Sequence, residues 1–208
     1  MFITIEGPDG SGKTTQVPPL SEYIIQHGIQ LLVTREPGGT QIGDQVRRIL
    51  ADLANTGMNP RTETLLFLSA RAQLVEQVIK PHLARGYVVL CDRYADSTMA
   101  YQGYGHQNDL DQIQNLINFA TGGLKPDLTL LLDLEVEEGL QRKSQGGEWN
   151  RLDAYDLDFH QRVRDGYHLM SQAEPGRWVT IDAGRPPEDV QAAMREVIRA
   201  RLMNPETP

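Results

Sequence analysis

Residues 2–15 read Phe-Ile-Thr-Ile-Glu-Gly-Pro-Asp-Gly-Ser-Gly-Lys-Thr-Thr, an apolar β-branched run that passes directly into G-x-x-x-x-G-K-T over Gly7 to Thr14. A strand that empties into such a loop is the context in which backbone N–H groups cradle the phosphates of a nucleotide. The glycines let successive N–H groups turn inward, Lys13 adds a point charge between the β and γ groups, and Thr14 offers a hydroxyl to Mg²⁺. The segment that follows is expected to open a helix whose positive end faces the same anion. The ligand implied is a nucleoside triphosphate, held by Gly7, Pro8, Asp9, Gly10, Ser11, Gly12, Lys13, Thr14 and Thr15.

Outward from this loop, four more short apolar runs recur with helical patterns between them: Leu31 to Thr34, Tyr87 to Cys91, Leu128 to Leu134 and Trp178 to Ile181. The alternation predicts an α/β fold, a five-stranded parallel sheet flanked by helices. The unbroken stretch Leu128-Thr129-Leu130-Leu131-Leu132 suits a strand buried on both faces. Ligands of such sheets bind beyond the carboxyl ends of the strands. The residues to inspect are therefore Arg35-Glu36-Pro37-Gly38-Gly39, Asp92-Arg93-Tyr94, Asp133-Leu134-Glu135 and Asp182-Ala183-Gly184-Arg185.

The chain has 208 residues, 39% of them apolar, enough for one core and one domain spanning 1–208. A formal charge of −8 speaks against a non-specific nucleic-acid binder, because backbone affinity needs clustered Lys and Arg. Any anionic ligand must then be met by local positive charge. The lone Cys91 excludes an internal disulfide and reads as a small buried hydrophobe. No apolar run approaches membrane-spanning length, and Met1 leads straight into the first strand, so a cytoplasmic enzyme is expected, with no membrane partner.

Thr62 to Lys80 reads as one helix stopped by Pro81, with Glu63, Phe67 and Arg71 at i, i+4 and i+8 on one face. Gln141 to Arg151 is polar, basic and glycine-containing, the composition of a flap, drawn here over about 141–153. Pro18-Pro19 fall where the helix after the phosphate loop should run, so a kink or a late start is expected there. The residues after Met203 form a tail without a motif.

The phosphate loop alone leaves kinase, GTPase and motor open. A guanine-reading Asn/Thr-Lys-x-Asp string after a strand is missing, since Leu124-Lys125-Pro126-Asp127 begins with Leu and precedes a strand. A motor or nucleic-acid ATPase would show more positive surface. Phosphoryl transfer to a small acceptor remains, and its highly anionic transition state calls for converging arginines. The candidates are Arg35, Arg93, Arg142 and Arg151. A phosphate acceptor needs no base, whereas a hydroxyl acceptor would need one, with Glu36 or Asp92 as suspects.

Residues 90–102, Leu-Cys-Asp-Arg-Tyr-Ala-Asp-Ser-Thr-Met-Ala-Tyr-Gln, resemble the signature of thymidylate kinases, which convert dTMP and ATP to dTDP and ADP. Thr34-Arg35-Glu36-Pro37-Gly38-Gly39-Thr40 and Phe67-Leu68-Ser69-Ala70-Arg71 match the bacterial members in the right order. The resemblance implies the P-loop nucleotide kinase fold, the phosphate loop at 7–14, and an acceptor region over about 35–75 and 92–105.

In dTMP recognition, the resemblance implies that Phe67 stacks on thymine and Arg71 bonds its O4 edge. Ser97 and Gln102 complete base recognition, and Tyr101 crowds the sugar C2′. Asp9 approaches the 3′-OH, Arg35 and Arg93 hold the acceptor phosphate, and Pro37 joins the same wall. Asp92 falls near the Mg²⁺ shell with Thr14. The loop lacks arginine, so the chain resembles the subgroup whose catalytic arginine lies in the flap, with Arg142 and Arg151 closing on the donor phosphates beside Lys13. Ala183-Gly184-Arg185 resembles the segment lining the adenine. Homodimers are usual in that family. A deoxynucleoside kinase acting on thymidine and a non-catalytic nucleotide-binding regulator are the competing readings.

Overall fold

In the computed structural model, the chain is described over residues 1–146 and 151–203, the side chain of Met203 excepted. Residues 147–150 of the expected flap and the tail 204–208 lie outside the described residues.

The five apolar runs form five strands, each within one residue of its expected bounds: β1 (Phe2–Glu6), β2 (Leu31–Arg35), β3 (Val88–Asp92), β4 (Leu128–Asp133) and β5 (Trp178–Asp182). All pairings are parallel, in the order β2-β3-β1-β4-β5. The helices are α1 (Lys13–Gln26), α2 (Gln41–Ala51), α3 (Pro60–Leu74), α4 (Lys80–Ala84), α5 (Ala95–Thr98), α6 (Leu110–Thr121), α7 (Val136–Gly146), α8 (Leu157–Ala173) and α9 (Pro187–Ile198). The chain places β2 and β3 on one side of β1, then crosses to β4 and β5 on the other. Such a reversal opens a crevice at the carboxyl end of the central strand.

Alternate residues of each strand point to opposite faces, and helices cover both, which explains the near-continuous apolar runs. Ile3, Ile5, Leu90, Leu128, Leu130 and Leu132 pack against Leu20 and Ile24 of α1 and Met194 and Ile198 of α9. On the other face Phe2, Val89 and Cys91 meet Leu74, Val75 and Ile79, and Leu131 and Trp178 meet Phe159, Val163 and Tyr167 of α8. Cys91 is fully buried, and burial pushes its thiol up, so it serves as a core hydrophobe. Among the described residues no helix is long and apolar enough to cross a membrane.

A late start of the helix after the phosphate loop and a helix stop at Pro81 are both corrected. The helix after the phosphate loop starts without delay at Lys13 and runs through both Pro18 and Pro19. The carbonyls that lose their i+4 donors belong to Thr14 and Thr15, which are exposed, so water can satisfy them. The helix expected over 62–80 begins earlier, at Pro60, and is not stopped by Pro81. A π-helical turn at Val75–Ile79 intervenes, and Pro81 falls in the first turn of α4, where a missing N–H costs little.

Candidate active site

A cleft of about 1450 Å³ runs over the carboxyl ends of β1, β2 and β3, from the phosphate loop at one end to Phe67 and Gln102 at the other. Single-ligand pockets occupy roughly 300–1,000 Å³, so this cleft has room for a donor and an acceptor together.

The donor end is built from backbone. Gly7 has φ 143, and a Cβ there would lie 2.3 Å from the Leu132 carbonyl oxygen; one on Gly10 would lie 2.1 Å from that of Gly139 in α7. Only glycine lets the loop rest this closely on its neighbours. Gly12 begins α1 at φ 86 with no side chain capping the first turn, leaving its N–H groups to an anion. Lys13 folds back into its own loop, its Nζ donating to Gly7 O (2.9 Å), Pro8 O (2.8 Å) and Ser11 Oγ (3.0 Å). Burial, reinforced by the nearby Arg93 charge, pulls the Lys13 ammonium down to about 7. Thr14 and Thr15 lie exposed on the cleft wall.

The residues present fit Mg²⁺. Asp92, the last residue of β3, lines the cleft with its buried Oδ1 lacking any partner, and the Thr14 hydroxyl stands on the same wall. No group of three or more acidic, His or Cys side chains among the described residues could hold a metal alone. That is the pattern expected of an ion bound chiefly through substrate phosphates and water.

Arg93 occupies the middle of the cleft. It is held at φ 66, a left-handed conformation that strains a non-glycine residue. The fold over-determines this position from both ends. The Arg93 N–H donates to Ile5 O (3.0 Å), and the Tyr94 N–H donates to Glu6 Oε1 (2.7 Å). Glu6 Oε2 also accepts from Ser97 Oγ (2.5 Å) and Tyr167 OH (3.0 Å). Burial and the neighbouring Asp96 push the Glu6 carboxyl up to about 7. The Arg93 guanidinium then reaches Asp9 Oδ1 (2.6 Å) and Gly7 O (3.1 Å) and lies over the Tyr101 ring. Asp9 also accepts from Tyr101 OH (2.7 Å). Burial alone would raise the Asp9 carboxyl, but Arg93 and Lys13 outweigh it and hold it down at about 2.

At the acceptor end Phe67 is half-buried and faces the cleft, beside Pro37, whose peptide bond to Glu36 is cis. Arg71 does not line the cleft openly. Its guanidinium is fully buried, donating to Glu36 Oε2 (2.7 and 2.5 Å), Thr98 Oγ1 (2.8 Å) and Tyr94 O (2.8 Å). Four of its five N–H groups are spent on the protein, and one on Nη1 is left over. Ser97 lines the cleft but gives its hydrogen to Glu6, while Gln102 donates its Nε2 to Glu63 Oε1 (2.8 Å). Arg35 ends β2, exposed on the wall.

Sequence reasoning missed Arg47 of α2. It lines the same wall, donates to Pro37 O (3.0 Å), and is pulled down by burial and by the charges of Arg35 and Arg93. No motif surrounds it; its only signal was a basic residue one helix after the Arg35 loop. Glu63, Glu6 and Tyr167, which organise the site from beneath, were likewise invisible as functional residues.

The flap departs most from expectation. Residues 141–146 are the end of α7, and Arg151–Ala154 form a single 3₁₀ turn. Arg142 lines the cleft but is tied to Ala183 O (3.0 Å) and Glu138 (2.5 Å). Arg185, at the same end of the cleft, is exposed and pairs with Asp189 at 3.2 Å. Arg151 does not line the cleft at all. Its buried guanidinium pairs with Glu63 Oε2 (2.6 Å) and donates to Leu50 O and Tyr155 OH, both at 3.0 Å. An arginine so desolvated and paired is not a free flap cation, which weighs against the expected closure of Arg151 over the donor. Lys143, a third basic residue of the expected flap, lines the cleft.

The family model for thymidylate kinase matches residues 5–194. The chain is 47% identical to the thymidylate kinase of Herpetosiphon aurantiacus, over 100% of this chain and 98% of that protein. It is 48% identical to that of Roseiflexus castenholzii, over 97% of this chain and 94% of the relative. Among solved structures it is similar to the thymidylate kinase of Ehrlichia chaffeensis, with a TM-score of 0.79 and 34% identity over 96% of this chain and 98% of the other.

Proposed function

The chain belongs to the thymidylate kinase family and phosphorylates dTMP to dTDP in nucleotide biosynthesis, and we propose that it does so with ATP and Mg²⁺ in the single cleft described above. The observation that carries the division of labour is the charge on the acceptor wall. Arg35, Arg47 and Arg93 share it, and Arg35 makes no ion pair among the described residues. A nucleoside would have no use for that charge. A nucleoside monophosphate would neutralise it, with Arg's planar fork suited to the phosphate oxygens.

The donor phosphates lie along Gly7 to Thr15 and the open first turn of α1, with Lys13 leaving its carbonyl partners to meet them. Thr14 and Asp92 would hold Mg²⁺ beside the phosphates, where it would supply positive charge to the transferring group. Ala183 and Arg185 border the adenine, and Arg142 and Lys143 stand over the donor side. Thymine stacks on Phe67, its polar edge facing the remaining Arg71 donor and Gln102, with Pro37 and Ser97 beside it. Tyr101 and Asp9 face the sugar. The acceptor phosphate attacks already ionised, so the cleft has to orient and neutralise rather than abstract a proton.

The reading extends to a cytoplasmic homodimer. Phe119 of α6 is 89% exposed and Leu65 of α3 57%, on helices that pack together, an apolar surface that a second copy would cover. Sedimentation of Phe119→Glu beside the parent protein checks this, with loss of the dimer expected. The reaction itself is tested by ADP release with dTMP, dUMP or thymidine as acceptor. Turnover with dTMP and almost none with thymidine is expected; equal turnover with thymidine would make the enzyme a nucleoside kinase.

A further inference from the structure

The buried carboxylate of Glu63 has no part in the phosphate chemistry, yet it is among the most heavily bonded side chains in the molecule. It sits one turn before Phe67 on α3, with no exposed side-chain surface. Its two oxygens serve different parts of the protein. Oε1 accepts from Gln102 Nε2 (2.8 Å) and His106 Nε2 (3.0 Å), in and beside the π-helical turn Met99–Gly105 that carries Tyr101. Oε2 accepts from Tyr155 OH (2.9 Å) and pairs with Arg151 (2.6 Å), which stand at the carboxyl-terminal foot of the flap. Burial would raise this carboxyl, but the bonds from His106 and Gln102 and the charge of Arg151 outweigh it and hold it down at about 2. Glu63 therefore stays ionised, and its charge is shared between base wall and flap.

We propose that Arg151 is a positioning residue, which fixes the thymine-binding wall through Glu63 and so ties that wall to the foot of the flap. The proposal rests on the dTMP kinase reading given above. Three anchors hold the arginine: the Leu50 carbonyl at the end of α2, Tyr155, and Glu63. Through Glu63 it sets the orientation of the Gln102 amide, which lines the cleft, and the azimuth of the α3 face bearing Phe67 and Arg71. Removing Arg151 leaves Glu63 charged with one of its four partners, the paired guanidinium, gone, so the carboxylate must shift, take up a proton or admit water. Each of these moves disturbs the base wall before any donor is bound.

The test is calorimetric titration of dTMP into the full chain without ATP, for the parent, Arg151→Met, Glu63→Gln and the double variant, with steady-state kinetics beside it. Each single change is expected to weaken dTMP binding by about tenfold, and the double change by no more than the weaker single one, as for two residues acting as a unit. Tyr155→Phe, which removes one bond to each partner without stranding a charge, is expected to move dTMP affinity in the same direction and serves if Arg151→Met does not fold. Unchanged dTMP affinity with lowered kcat would place Arg151 on the donor and overturn the proposal. Additive losses, or a lowered melting temperature with unchanged affinity and kcat, would overturn it as well. Failure of the parent protein to bind dTMP would instead remove the reading on which it rests.

Discussion

Lys13 and Arg151 both stand in glycine-containing segments around one cleft, and both read in the sequence as cations for the donor phosphates, but the fold wires them in opposite ways. The partners of Lys13 lie 2, 5 and 6 residues away, inside its own loop. One partner of Arg151 lies 101 residues away on α2, and its counter-charge lies on α3. Lys13 leans on carbonyl oxygens that carry no net charge, and it can exchange them for phosphate. Arg151 is paired with a full carboxylate in a buried site, and to leave it would strand both charges. A cation is available for chemistry when the groups that hold it are weaker than the ligand that will replace them.

The first way to break the comparison is to remove the available cation. Lys13→Ala should lower kcat by about 10²–10³ or more, the loss expected when a preorganised charge is taken from an anionic transition state. The KM for dTMP should stay near that of the parent, since Lys13 faces the donor. Steady-state kinetics varying each substrate separates the two effects, and a KM for dTMP that rises as far as kcat falls would erase the donor and acceptor division.

Much of the donor half was legible because a phosphate loop is a local device. The five strands, the loop at 7–14 and the position of the cleft all follow from short runs of residues. Gly7, Gly10 and Gly12 take positive φ of 143, 77 and 86, a requirement of the loop's own backbone. The family motifs marked Phe67, Arg93 and Asp92 at strand ends and on one helix face. What stayed hidden is what tertiary pairing decides. Glu63 looked like one more charge on a helix until Gln102, His106, Tyr155 and Arg151 converged on it. Pro81 looked like a stop until a π-helical turn gave it a first-turn position. Composition suggested a flap over about 141–153, but not that its first residues, 141–146, complete α7.

A gentler perturbation sharpens the contrast by pH. Glu63 is held at about 2 against an ordinary 4.5, so its stabilising contribution is complete above about 4.5 and is lost as pH falls toward 2. The stability advantage of the parent over Glu63→Gln should therefore shrink by up to about 3 kcal/mol across that window. Urea unfolding at a series of acid pH values reads it. An advantage that does not change with pH would mean Glu63 is not held ionised by its partners.

The most direct measurement is a crystal structure with dTMP and a non-hydrolysable ATP analogue bound together. The account predicts the analogue's phosphates within about 3 Å of Lys13 Nζ, thymine stacked on Phe67, and Arg151 still paired with Glu63. An Arg151 nitrogen on a donor phosphate oxygen, with Glu63 left behind, would contradict it.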